Sequence, residues 1–454
     1  MELDMIIWKV ICRLAVYCGL SLIVFSFFTN TVAASCLTGA CHQALQSFTR
    51  LHEPVAEGEC LSCHESVAKE HPLKKGKSFK LVAAGAALCI ECHDSFDPSV
   101  GQLHPAVADG ECLVCHNPHG GSNVGLLQAG GDLKIICFEC HDAEPFEQQF
   151  VHGPAAAGVC FECHMPHQSK NKNLLQTDSK SLCLRCHADL VAGLENSAVI
   201  HAPINESDCS ACHEVHGGAF VHLLKADGPK LCFSCHEELA DKYNKSKTKH
   251  TALYKDDRCG NCHSPHFSEY VSLLSELESD TCLRCHGKDD FKRSRALRNI
   301  RTEIAGKEHL HAPLADGKCS ACHDPHGSDF YRLLVNAYPE NFYAPYRKGT
   351  YAFCLDCHEE NLLRFPETSI YTRFRDGKHN LHYTHVADSR KGRTCRACHQ
   401  AHASNGPKLV NEEGAAFGNW RIPLHLELTE TGGSCSPGCH RRISYDRENP
   451  VTEK

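Results

Sequence analysis

Two cysteines followed at once by a histidine occur fifteen times in this 454-residue chain, and no other feature limits its possible folds as strongly. Thirteen copies have the spacing Cys-x-x-Cys-His. They are Cys60, Cys63 and His64; Cys89, Cys92 and His93; Cys112, Cys115 and His116; Cys137, Cys140 and His141; Cys160, Cys163 and His164; Cys183, Cys186 and His187; Cys209, Cys212 and His213; Cys232, Cys235 and His236; Cys259, Cys262 and His263; Cys282, Cys285 and His286; Cys319, Cys322 and His323; Cys354, Cys357 and His358; and Cys395, Cys398 and His399. Two copies are stretched, with Cys36 and Cys41 before His42, and Cys435 and Cys439 before His440. Such a segment is the attachment signature of c-type haem. Two thiols bond to the vinyl groups on one porphyrin edge, and the adjacent imidazole falls on the iron as its proximal ligand. A zinc site would pair motifs into four ligands, with no reason for a histidine after every second cysteine. A redox Cys-x-x-Cys would stand once or twice beside a βαβ pattern, and the sequence shows none.

The remaining composition agrees with this reading. Of 32 cysteines, 30 lie in the motifs, and Cys12 and Cys18 sit in an N-terminal apolar stretch, so no thiol is left for structural disulfides. The three methionines are Met1, Met5 and Met165, and Met165 directly follows a proximal histidine, which excludes histidine–methionine ligation as a general scheme. Histidine is abundant: 34 in all, leaving 19 to fill fifteen distal positions.

The start of the chain predicts a secretory signal over residues 1–34. Lys9 and Arg13 precede an apolar run from Leu14 to Phe28, and Val32, Ala33 and Ala34 offer a small-residue cleavage site. An uncleaved anchor is the alternative. Cys36 also has a second reading as a lipid attachment site; Ala33 in place of the usual leucine, and the haem-compatible spacing to Cys41 and His42, favour haem. The expected content is about 15 haems per chain, or about 14 if Cys36 carries lipid. Export to the periplasm or outer cell surface follows. Beyond the signal lie 28 residues per motif, too few to build an apolar core around each porphyrin, so the porphyrins themselves are expected to form the core. The formal charge of −8, with haem propionates adding to it, argues against nucleic acid as a partner.

Internal repetition divides the chain into a single-haem segment at 35–51, five two-haem modules over 52–300, and two longer, divergent two-haem modules over 301–454. Three features recur in register. A histidine stands eight residues before the first cysteine at His52, His104, His152, His201 and His311, and nine before at His250. A second stands three residues after the first proximal ligand at His119, His167, His216, His266, His326 and His402. It is too near its own motif to reach round the porphyrin, because three residues span at most about 10 Å, and so it is expected to bind a neighbouring iron. Proline precedes it at His119, His167, His266 and His326 and restricts its backbone. Seven residues further comes an apolar pair, such as Leu126-Leu127 or Leu409-Val410, expected to pack on porphyrin faces or between modules.

Departures cluster at the ends. The first module has Val67 where the second histidine should be, with His71 the nearest replacement. His382, with His385 as the alternative, and His425 complete the distal set, the latter as candidate partner of His440. His222, His309 and His379 stand outside the pattern. The aromatics between Tyr338 and Phe353 are expected to cover haem edges, with docking of a partner as the second reading. The fold is predicted to be mainly irregular with short α-helices, an elongated haem-cored array of two-haem modules with little or no β-sheet.

The His-x-Pro, Cys-x-x-Cys-His-x-Pro-His-Gly and trailing Cys-x-x-Cys-His elements over residues 36–440 resemble the doubled-CxxCH family of multihaem c-type cytochromes. The resemblance implies electron transfer in the periplasm or on the outer surface of bacteria. It also implies redox proteins as donor and acceptor, and an outer-membrane conduit or an extracellular metal oxide as further partners. Two imidazoles on each iron leave no open position, so the expected role is an electron carrier and not an enzyme. The competing expectation is a multihaem reductase of a small oxyanion or nitrogen compound, with one iron open where the pattern frays at His42 or His440.

Overall fold

A computed structural model of the chain describes residues 36–37, 41–254, 258–290 and 297–451. The expected signal segment lies outside them. Two compact units are present, one drawn from residues up to Glu144 together with Gly153–Asp178, the other from Pro145–His152 and from Ser179 onward.

Both units use one local design. His52, His104, His201 and His311 hold extended backbone as the N-cap of a four- or five-residue helix: Glu53–Ala56, Pro105–Ala108, Ala202–Glu206 and Ala312–Ala315. Proline occupies the first or second position of each, where its fixed φ suits a helix start and its missing N–H has no partner to lose. A 3₁₀ turn then carries the first cysteine, at Cys60–Ser62, Cys112–Val114, Cys209–Ala211 and Cys319–Ala321. The second motif of a pair lies at the end of an α-helix instead, as in Ala86–Ile90, Leu133–Phe138, Gly228–Phe233 and Glu278–His286. In both settings the motif histidine N–H bonds the carbonyl of the first cysteine, at 3.0 Å for His93 and His116 and 3.1 Å for His213. That single turn puts cysteine i and histidine i+4 on one face.

Among the described residues sheet is confined to short antiparallel ladders and one three-stranded sheet. Arg50–Leu51 pairs with Gly120–Gly121, and Gln102–Leu103 with Gln168–Ser169, in the first unit. In the second, Phe150–Val151 pairs with Gly217–Gly218, Val199–Ile200 with Phe267–Ser268, and His309–Leu310 with Ala403–Ser404. Each ladder ties the residues before a module's leading histidine to those following the second histidine of the next module, so consecutive repeats interlock. At the ladder Gly217 approaches so closely that a Cβ would lie 2.2 Å from the Pro145 carbonyl oxygen, which requires glycine there. The expectation of a mainly irregular fold with short helices holds. The sequence did not foretell the three-stranded antiparallel sheet of Glu427–Leu428, Gly432–Cys435 and Ile443–Asp446. Its central strand reads Gly-Gly-Ser-Cys and carries no alternation of apolar and polar side chains.

Among the described residues the fully buried hydrophobic side chains all come from position 334 onward, led by Tyr351 and Leu363. Tyr338, Tyr351, Leu334, Leu363 and Val386 pack into one cluster there. The aromatics expected to cover haem edges therefore have another task in part. Tyr338 and Tyr351 meet edge to face at 5.6 Å and are core residues of the polypeptide itself.

Candidate functional site

The repeated histidines come together two at a time. In the first unit His42 faces His71, His52 faces His93, His64 faces His119, His104 faces His141 and His116 faces His167. In the second unit the pairs are His152–His187, His201–His236, His213–His266, His250–His286, His263–His326, His311–His358, His323–His402 and His382–His399. One member of every pair belongs to a cysteine motif. Ring centres lie between 5.8 Å, as in His52–His93, and 6.5 Å, in His382–His399. Two imidazoles that share one metal ion, each with a metal–nitrogen bond of about 2 Å, have ring centres roughly 6 Å apart. The spacing is therefore that of a bis-imidazole metal. Among the described residues no group of three or more His, Cys, Asp or Glu side chains converges as a metal site, so the histidines meet as twos and not as zinc-like fours.

All these pairs except His42–His71 and His382–His399 follow a rule. The histidine leading a module faces the second motif of that module, as His104 faces His141. The histidine three residues beyond a first motif faces the first motif of the preceding module, as His119 faces His64 and His326 faces His263.

Backbone carbonyls orient these rings. His116 Nδ1 lies 2.7 Å from the Gly125 carbonyl oxygen, and His213, His263 and His323 make the same contact nine residues on, with His222, Ser272 and Arg332, at 2.8, 2.8 and 3.0 Å. A ring that donates through Nδ1 keeps Nε2 unprotonated and free to ligate. The apolar pair makes this contact possible. Its second member bridges back to the motif histidine, as in His116–Leu127 and His323–Leu334, and its first member holds a positive φ, +51° at Leu126 and +58° at Leu333. These leucines thus set the return of the chain that presents the carbonyl, a task that packing considerations did not suggest.

A small residue two places after the second histidine was also missed. At Ser169, Ser268, Ser328 and Ser404 its side chain is buried, and the Ser328 hydroxyl donates to the Leu334 carbonyl at 2.6 Å while accepting from the Phe330 N–H at 2.9 Å. The signal was available: Gly121, Ser169, Gly218, Ser268, Ser328 and Ser404 recur at one offset. Ser328→Val is expected to cost about 1–3 kcal/mol, through an orphaned buried carbonyl and N–H, measurable as a lower denaturant midpoint.

A family model described as a doubled CXXCH motif matches residues 52–98, 104–146, 152–192, 201–241, 250–291, 311–362 and 387–417. The chain belongs to this doubled-CXXCH family. Its repeated motif makes the protein a multihaem c-type cytochrome with covalently bound haem. No curated protein matches it significantly. The seventh family match ends at 417, before Cys435, Cys439 and His440, where Cys435 lies on a strand and not in a helical turn.

The doubled motifs bring cysteines of successive repeats into contact. None of the 30 motif cysteines is paired in a disulfide. First cysteines meet across repeat boundaries, as Cys36 with Cys60 and Cys89 with Cys112 in the first unit, and Cys183 with Cys209 and Cys354 with Cys395 in the second.

Burial also sets the histidines. Desolvation pushes His104, His119, His167, His266, His311, His323, His326 and His399 below the ordinary imidazole range, and His382 down to about 4. They are therefore neutral at pH 7, the form that binds a metal.

The C-terminus departs from expectation. His425, the sequence candidate for the partner of His440, is exposed and holds left-handed backbone at φ +44°. His385, half-buried on the helix Leu381–Val386 that also carries His382, is pushed below the ordinary imidazole range chiefly by burial, with Arg393, His440 and His379 also opposing its protonation. Phe374 stands beside both, 5.2 Å from the His382 ring and 5.7 Å from that of His385. Of the other spare histidines, His222 serves through its carbonyl, His309 through a ladder, and His379 Nε2 lies 2.9 Å from the Thr384 hydroxyl.

Proposed function

We propose that this protein is an electron carrier holding about 15 haems, each iron between two histidines, one from a cysteine motif and one from elsewhere in the repeat. The observation that carries this reading is the recurrence of motif and non-motif histidine rings at 5.8–6.5 Å. The residues fit the group on three further counts: backbone carbonyls engage Nδ1 of several motif histidines, burial holds imidazoles such as His266 and His382 below the ordinary range, and two cysteines precede each motif histidine. Haem so ligated supplies one-electron chemistry without a free coordination position.

The chain's own part is to hold and space the cofactors. Contact of first cysteines across repeat boundaries supports attachment edges lying side by side, and the interlocking ladders support fixed spacing between repeats. In this reading export precedes haem attachment, and the partners are redox proteins on either side, with an outer-membrane conduit or an extracellular metal oxide as terminal acceptor. The reading is tested by reductive titration of the purified protein. Reversible uptake of about one electron per motif supports it; turnover of nitrite, hydroxylamine or tetrathionate at a minority haem would favour a reductase.

For His440 we assign His385 as the second ligand in place of His425. His385→Ala is expected to produce one high-spin haem per chain by electron paramagnetic resonance, and His425→Ala none. The opposite pattern returns the role to His425.

A further inference from the structure

The Nδ1 of His402 meets a carboxylate within hydrogen-bond distance, whereas His382 Nδ1 meets the Thr372 hydroxyl at 2.9 Å and His326 Nδ1 has the Asp324 carboxylate only at 4.0 Å. At His52, His152 and His201 the Nδ1 partner is a backbone carbonyl, of Pro118, Val215 and Pro265, at 2.9, 3.0 and 2.8 Å. At His402 it is a carboxylate: Nδ1 donates to Glu303 Oε1 at 3.1 Å, and the Gln400 amide donates to the same oxygen at 3.1 Å. Glu303 is only 12 % exposed, so its charge is weakly screened. Its other oxygen pairs with the Arg298 guanidinium, which is half exposed.

The placement is built. Glu303 sits on the helix Ile300–Ile304, capped by the Asn299 side chain accepting from the Thr302 N–H at 3.1 Å. The backbone of His402 is pinned by its carbonyl accepting from the His311 N–H at 3.0 Å, beside the ladder of His309–Leu310 with Ala403–Ser404.

We propose that Glu303 is a tuning residue that sets the haem between His323 and His402 at a lower reduction potential than it would have with a neutral acceptor on His402. This rests on the bis-histidine reading above. The ring centres of His323 and His402 lie 6.4 Å apart. A carboxylate on Nδ1–H makes the imidazole a stronger electron donor, and its negative charge favours ferric over ferrous iron. Arg298 opposes that charge and moderates the effect. The haem on Cys319 and Cys322 is thus an energetic step in the row, where electrons at equilibrium spend less time.

The test is spectroelectrochemical titration of the intact holoprotein at one fixed pH, with haem content measured on the same samples. Glu303→Gln keeps the shape and a hydrogen-bond acceptor but removes the charge. It is expected to raise the potential of one haem's share of the α-band amplitude, with the oxidised-to-reduced ratio at fixed applied potential falling about tenfold, equal to 59 mV for one electron. Arg298→Gln is expected to move the same share the other way, and Glu303→Asp to stay below Glu303→Gln. A merely structural role would not give opposite signs. Full haem content with both variants unshifted, or shifted alike, overturns the proposal; haem well short of the motif count overturns the underlying reading instead.

Discussion

Replacing His326 with alanine is expected to convert one haem per chain to the high-spin state without loss of haem. The His326 ring lies 6.0 Å from that of His263, whose motif supplies Cys259 and Cys262. The two thioether bonds keep the porphyrin in place when the second imidazole is removed, so ligation changes and content does not. The open iron should bind carbon monoxide at one equivalent per chain. A second variant identifies the iron concerned. His326 is three residues from His323, and the short reach of that segment argues that it serves the preceding module and not its own motif. If so, removing Cys259 and Cys262 in the His326→Ala background deletes the high-spin signal together with its haem. Persistence of the signal would assign His326 to another iron.

Asn380→Ala is expected to destabilise the second unit by about 3 kcal/mol, the sum of a lost helix cap and two part-buried carbonyls left without their donor. The Asn380 side chain is fully buried. Its amide donates to the Leu362 and Phe365 carbonyls at 2.9 and 2.8 Å, and its Oδ1 accepts from the Tyr383 N–H at 3.2 Å. That last bond caps the helix Leu381–Val386, which carries His382 and His385. The variant should therefore show a lower denaturant midpoint and release of low-spin ligation at the His399 and His440 motifs before the rest of the protein unfolds. Loss of cooperativity across all haems at once would mean that this helix is not a separable element.

The two variants also mark where sequence reasoning reached and where it stopped. The placing of His119 or His326 beside a neighbouring motif was accessible, because three residues of backbone cannot carry an imidazole around a porphyrin. The small-residue position at Ser328 and the role of Leu333–Leu334 were not foreseen. Both act through backbone carbonyls and left-handed residues, for which side-chain chemistry gives no cue. His385 was weighed only against His382 because a repeat has one histidine at each offset, whereas a helix places i and i+3 on the same side and offers both. Asn380 had no motif at all. Its importance comes from a fully buried side chain that reaches three backbone groups, of Leu362, Phe365 and Tyr383. The C-terminal sheet escaped for the related reason that glycine and serine strands carry no periodic signal.

The central claim is that every iron is held between two histidines, and the most direct measurement is electron paramagnetic resonance of the purified, fully oxidised protein with haem quantified on the same sample. The account predicts low-spin ferric signals only, at about 15 haems per chain from the motif count. A stoichiometric high-spin signal in the unmodified protein would contradict it, since at least one iron would then lack its second imidazole.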